Sequence, residues 1–273
     1  MHPGRHAALL GAMVLVAAAP GRSEPSNSLL LGTPGAGERA LLTVRQLSRE
    51  RPAGSPGEAA VARSVAARFR ALGYRVTEQP FRLPRGGTSR NVVADGGGTA
   101  KVVLVAHLDG VRGTQAANDN GSGVAVLLEL ARALAGREGV LLAALGAEER
   151  VVTRSRLHLG SSRLTVGLSR REKRLAVSID MVGVGARLFV RGVESRPNAS
   201  ARLLLARSGA TYLRDPGDSD HVELTRAGIP AAWVQWRKDA CWHAPCDRPA
   251  RVRVSKLQGA FELVLRAAEA ALG

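Results

Sequence analysis

"KVVLVAHLD", residues 101–109, is an apolar, largely β-branched run that ends on an imidazole and a carboxylate. A strand with one wet face alternates polar and apolar residues; this run does not alternate, so it predicts a strand buried on both faces. "NDNGSGVAVLLELARALAG" (118–136) follows with helical spacing, and "GVLLAALGAEE" (139–149), "KRLAVSIDMVG" (173–183) and "IPAAWVQW" (229–236) repeat the unbroken strand pattern. Buried strands with helices between them predict a parallel sheet covered on both faces, an α/β three-layer sandwich.

The flanks extend this plan. Residues 38–50 and 55–74 carry apolar residues at helical spacing, the second opening on Ser55 as a cap and closing at Gly73. Short strands are expected near 75–81 and 91–94, and a closing helix over 254–273. The chain has 273 residues, within reach of one large α/β domain. No internal repeat or long linker divides it after Glu38, so residues 38–273 read as a single domain.

The amino terminus reads differently. Arg5 and His6 precede "AALLGAMVLVAAA" (7–19), and a charged start, a short apolar run and a small-residue exit describe a secretory signal. The run is shorter than the roughly 20 apolar residues of a membrane span. Residues 1–23 are therefore expected to be a signal with an open cleavage position and 24–37 a linker, giving a secreted chain, extracellular or periplasmic, with no membrane span afterwards. Export implies an oxidising compartment. Cys241 and Cys246, the chain's two cysteines, are then expected to bond to each other.

The formal charge of +16 raises nucleic acid as a partner, but the arginines are scattered and aromatics make up 3% of residues. Neither stacking platforms nor a recognition-helix motif appears, so no specific nucleic acid is expected. A monomer is expected.

Ligands bind open parallel sheets at the carboxyl ends of the strands. There the sequence places His107 and Asp109, then Glu148 and Glu149, then Asp180, and finally "DACWHAPCD" (239–247) with His243; Asp119 opens the helix after the first strand. Singly, each has an ordinary reading as a strand end, a solvated turn or a helix cap. Together, so many carboxylates and imidazoles at one rim would repel unless a cation neutralised them. Two imidazoles and several carboxylates without a free thiolate suit zinc or another borderline divalent ion. Asp119 would bridge two ions, His107 and Asp180 would hold one, and Glu149 and His243 the other. Glu148 remains to act as general base on water activated by the metal, and Asp109 to orient His107.

"AHLDG", "NDNGSGVAVLLELARAL", "AEE", "IDMVG", "SDHVELTRAGIPA" and "CWHAPCD" resemble, in order, the motifs of the co-catalytic zinc aminopeptidases of metallopeptidase family 28. The resemblance spans about Arg51 to Pro249. It implies a mostly parallel mixed sheet between helices, two zinc ions per chain, peptide substrates with a free amino terminus, and the same ligands and base as above. It also implies a role near the site for Asp220 and His221.

The sequence departs from that pattern in places. Trp242 stands where many members have a tyrosine that holds the oxyanion, and Arg154 where a glycine is usual after the paired glutamates. His158, in that reshaped loop, is expected on the surface. Trp233 and Trp236 have two readings, an apolar substrate pocket or core packing. Trp242 is also shared with the glutaminyl cyclases, relatives that use one zinc. A cyclotransferase-like enzyme is therefore the alternative, with a non-catalytic binding protein of the same fold as a third reading.

Overall fold

The computed structural model describes Met1 and residues 34–168 and 173–273. Apart from Met1, the expected signal, residues 1–23, lies outside the described residues, as does most of the linker. The described chain from Pro34 onward forms one unit.

Eight strands make a single sheet: β1 Arg75–Arg82, β2 Thr88–Asp95, β3 Val102–His107, β4 Val140–Leu145, β5 Leu175–Ile179, β6 Arg187–Gly192, β7 Thr211–Arg214 and β8 Ala231–Arg237. Their spatial order is β1-β2-β4-β3-β5-β8-β6-β7. The centre, β4-β3-β5-β8, is parallel, while β2 joins β4, and β6 joins β8, antiparallel. The expected sandwich with a mostly parallel mixed sheet is therefore what forms.

Burial on both faces follows from β3. Val102, Leu104 and Ala106 point into the larger apolar cluster, shared with helices α1 (Ala36–Leu47), α2 (Pro56–Ala71), α3 (Gly123–Ala133) and, near the carboxyl terminus, Val254–Leu272. Val103 and Val105 point into the smaller one. There they meet Leu164 and Leu224, carried by two short helices, Leu159–Thr165 and His221–Arg226. In chain order the helices after α3 are α4 (Arg150–Thr153), α5 (Leu159–Thr165), α6 (Ala199–Leu205), α7 (His221–Arg226) and α8 (Val254–Leu272). Ser55 caps α2 as expected, accepting from the Glu58 amide at 3.1 Å.

α1 begins at Ala36, two residues before the start at Glu38 that the apolar spacing predicts. Gly37 weakens the local signal, because glycine is a poor helix former. In the fold it lies so close to α8 that a Cβ would strike the Val254 carbonyl. Its amide donates to Gln258 Oε1 at 2.7 Å, so contact with α8 fixes the helix start. Among the described residues no helix is long and apolar enough to cross a membrane.

Candidate metal centre

The carboxyl ends of the parallel strands converge on one rim. β3 ends in His107, β4 leads to Glu148 and Glu149, β5 to Asp180, and β8 to the loop bearing His243. Asp119 comes from a helical turn, Ala117–Ser122, that precedes α3. Gly123 lets this turn approach β5, since a Cβ there would collide with the Ile179 carbonyl and the Asn120 side chain.

Asp119 sits between the two imidazoles. Its Oδ1 is 3.2 Å from His107 Nε2 and its Oδ2 is 3.3 Å from His243 Nε2. His107 Nε2 also lies 3.5 Å from Asp180 Oδ1, and His243 Nε2 lies 3.1 Å from Glu149 Oε2. Ligands 2.0–2.2 Å from a tetrahedral zinc stand roughly 3.3–3.6 Å apart, so these separations suit atoms facing a common ion. Two buried oxygens, Glu149 Oε1 and Asp180 Oδ1, have no hydrogen-bond partner among the described residues. Buried carboxylate oxygens left unpaired are costly. Both the nitrogen and oxygen donors and these orphaned atoms therefore fit zinc.

The charges of these groups act on one another. Burial opposes charge on His107, but Glu148 and Asp180 outweigh it and hold the imidazole well above its ordinary pKa. For His243 burial is likewise overcome by hydrogen bonds to Asp119 and Glu149, which lift it to about 10. Burial would raise Asp119, yet the two imidazoles bring it below the usual carboxylate range. Glu149 is pushed up to about 8, by burial first and by Asp119 next.

Several residues hold this set in place. Asp109 is fully buried and its carboxylate accepts from the Glu148 and Glu149 amides at 2.9 and 3.1 Å. Its Oδ1 is 3.6 Å from His107 Nδ1, and its main-chain carbonyl is nearer, at 3.2 Å. It thus acts through its neighbours and is not on the cavity wall. Asp247, in the quoted loop, accepts from the Asn118 and Asp119 amides at 2.7 and 3.1 Å. Ser219 donates to Asp180 Oδ2 at 2.8 Å. Arg51 is buried and donates to the carbonyls of Leu108, at 2.6 Å, and Ala116, at 2.7 Å, tying the end of β3 to the Asp119 turn. Asp247 and Ser219 lie inside the motifs read above; Arg51 gave no signal, because its partners are main-chain atoms distant in sequence.

The backbone here is unusual in one consistent way. Ala116, Ala147, Met181 and His243 all have positive φ, between 49° and 56°. Each such non-glycine residue costs of order 1–2 kcal/mol. All four are at, or within three residues of, the proposed ligands, where packing around the rim overrides the local preference.

His158 corrects the sequence reading. It is 2% exposed, not on the surface, with Nδ1 2.9 Å from Glu148 Oε1 and Nε2 3.1 Å from the Gly217 carbonyl. The loop after Glu149 folds as α4 and α5, and His158 sits just before α5, pointing inward. Arg154, where a glycine was expected, takes the left-handed conformation that glycine favours, φ 58°.

Asp220 and His221 lie behind the rim and do not reach the cavity. Asp220 is fully buried and both carboxylate oxygens lack a hydrogen-bond partner among the described residues; burial, then the Glu148 charge, raise it to about 7. His221 Nε2 is 3.1 Å from the Asp215 carbonyl, and its ring packs 5.8 Å from Trp233.

Cys241 and Cys246 are bonded to each other, closing the loop around His243. Trp242 is 57% exposed, its ring 4.4 Å from that of His243. A cavity of about 1070 Å³ opens over the rim, and Trp233, Trp236 and Trp242 all line it. Trp233 serves both readings offered above, because it is also buried and donates to the Asp180 carbonyl at 2.9 Å.

A mixed sheet flanked by helices, with acidic and imidazole groups at its carboxyl edge, is the fold class of the solved zinc exopeptidases that the chain resembles. Within that class the chain belongs to peptidase family M28, whose family model matches residues 91–268. Aminopeptidase YwaD of Bacillus subtilis is 34% identical over 187 residues, covering 61% of this chain and 40% of that relative, so the chain spans well under half of its length. Among solved structures, a zinc aminopeptidase from Bacillus subtilis superposes with a TM-score of 0.78 at 20% identity, over 86% of this chain and 94% of the other. A glutaminyl cyclase from Bacteroides thetaiotaomicron gives 0.72 at 20% identity, over 85% and 96%. Likeness at such low identity speaks for the fold.

Proposed function

We propose that this chain is a secreted zinc aminopeptidase that hydrolyses amino-terminal residues from peptides. The observation that carries the reading is Asp119, one oxygen toward His107 and the other toward His243. That placement supports two ions, one held by His107 and Asp180, the other by Glu149 and His243, with Asp119 between. Zinc bound there would polarise a substrate carbonyl and bring the pKa of a water toward neutrality.

The chain's own groups do the rest. Glu148 lines the cavity and is not needed as a ligand. Its carboxylate takes a proton from the attacking water and returns it to the leaving amine as the C–N bond breaks. Asp109 fixes the main chain of both glutamates, and the disulfide steadies the loop that presents His243. The match to a relative named as an aminopeptidase supports the exopeptidase reading. Secretion is supported by the apolar run at residues 7–19 and by the Cys241–Cys246 bond.

Trp242 favours a second reading, a glutaminyl-peptide cyclotransferase, since a tryptophan before this histidine resembles those enzymes; its ring lies 4.4 Å from that of His243 and lines the cavity. One experiment separates the two: a panel of aminoacyl anilides beside a glutaminyl-peptide cyclisation assay, each with chelator and with zinc restored. Hydrolysis that chelation abolishes and zinc restores is the expected result. Cyclisation without hydrolysis favours the second reading, and neither reaction with two zinc ions bound sinks both.

A further inference from the structure

One wall of the cavity is the ribbon formed by β6 and β8. Antiparallel pairing sets Arg191 opposite Trp233, Phe189 opposite Gln235 and Arg187 opposite Arg237. Side chains alternate along a strand, so these three pairs share a face. All six residues line the cavity.

The inner pair is satisfied. Trp233 bonds to the Asp180 carbonyl, and Arg191 stacks 4.1 Å from the Trp233 ring while pairing with Asp215 and Asp218. At the outer end, Arg187 and Arg237 are exposed and directly opposite each other. Like charges in that position repel. The acidic groups on this side are engaged elsewhere, Asp215 and Asp218 by Arg191 and Asp239 by Arg251. Among the described residues, neither Arg187 nor Arg237 meets a carboxylate at ion-pair distance; Arg237 leans over the Phe189 ring at 5.6 Å. Lys238 extends the same wall, and Arg150 and Arg156 also line the cavity.

From this pair of guanidinium groups we infer a carboxylate-binding subsite: Arg187 and Arg237 select short peptides that carry a carboxylate a few residues from the amino terminus. The inference rests on the aminopeptidase reading above. Trp233 and Arg237 are four residues apart, about 13 Å along the strand. An extended peptide covers about 3.3–3.6 Å per residue, and arginine side chains reach inward, so the carboxylate falls about two to four residues from the amine. A guanidinium fork matches a carboxylate in two parallel hydrogen bonds. The carboxylate comes from a free carboxyl terminus or from an acidic side chain.

The test uses the full zinc-loaded chain on Leu-Ala-Ala as free acid, Leu-Ala-Ala amide, Leu-Ala-Glu amide and leucyl anilide. The free acid or the glutamyl amide should exceed the neutral amide in kcat/KM, and which of the two does so identifies the source of the carboxylate. In the Arg187→Gln/Arg237→Gln variant, the carboxylate's hydrogen bonds to the arginine pair being worth about 1.5–3 kcal/mol in all, that advantage should fall about 10- to 150-fold through KM, with far less change on the neutral forms. A melting curve checks that the variant folds. Binding of the free acid and the amide to zinc-free protein gives a readout without turnover, and the variant should lose the difference between them. Equal kcat/KM for the free acid, the glutamyl amide and the neutral amide in the wild type, or equal losses on all four substrates in the variant, overturns the subsite. Absence of zinc-dependent anilide hydrolysis instead overturns the aminopeptidase reading itself.

Discussion

His158 Nδ1 lies 2.9 Å from Glu148 Oε1, while its Nε2 lies 3.1 Å from the Gly217 carbonyl. Both ring nitrogens face oxygen acceptors, an arrangement that suits the doubly protonated ring. Burial works against that charge, but the Glu148 carboxylate outweighs it and lifts His158 to about 9. His158 therefore holds the carboxylate in one place and orientation. His158→Leu should lower kcat by about 10- to 100-fold, the range seen when a supporting hydrogen bond is lost, with KM little changed. His158→Gln, which keeps a donor, should recover part of the loss. Steady-state kinetics on an anilide checks this, and an unchanged kcat in His158→Leu removes the role.

Glu148→Gln keeps the shape of the side chain but cannot accept the proton of the attacking water. General-base action is worth about 10²- to 10⁴-fold, so kcat should fall by that amount with zinc content unchanged by elemental analysis. Near-full turnover in the variant would remove Glu148 as the base.

Asp119→Ala removes a carboxylate that has one oxygen toward each imidazole. Zinc stoichiometry after dialysis should drop from two toward zero, whereas loss of a single ion would assign Asp119 to one site only.

Glu58 sets a pH dependence of stability. It is 2% exposed, accepting from Ser89 Oγ at 2.6 Å and the Gly54 amide at 2.6 Å. Burial, then the Asp109 charge, raise it to about 7 from an ordinary 4.5. A carboxyl raised in the folded state costs nothing below the unfolded pKa. As pH climbs from about 4.5 to 7 the unfolded chain ionises first, so stability falls, by up to about 3 kcal/mol, and then levels. Glu58→Gln removes this dependence. Urea unfolding of the variant and the wild type should diverge over that window, the variant being the more stable at pH 8; parallel curves from pH 4 to 8 would contradict it.

Arg154→Gly places glycine at the exposed, left-handed end of α4. It should stabilise the fold by roughly 0.5–1 kcal/mol, read as a higher midpoint in denaturant. A lower midpoint would mean that the Arg154 side chain makes a stabilising contact.

The central elements were legible because each carries its own signal. β3, β4, β5 and β8 are apolar without interruption, and α1, α2, α3 and α8 repeat apolar residues at helical spacing. β6 and β7 were not, since "RLFVRG" and "TYLR" mix arginine with apolar residues on half-exposed strands. Pairing with β8 makes β6 a strand, and that pairing is a contact between segments distant in the chain. The short helices α4 to α7, four to seven residues each, were illegible for a similar reason. So short a helix has too few internal hydrogen bonds to form without tertiary packing.

The sequence by itself determined the sheet's buried centre and which residue types end its strands, because burial on both faces forces apolar runs and leaves ionisable groups only at the ends. Tertiary structure alone decided how those groups meet: that Asp119 divides its oxygens between His107 and His243, that His158 turns inward to Glu148, and that Arg187 faces Arg237. Hydrophobic burial is a property of local composition, whereas distances between side chains from separate strands arise only once the sheet has brought those strands together.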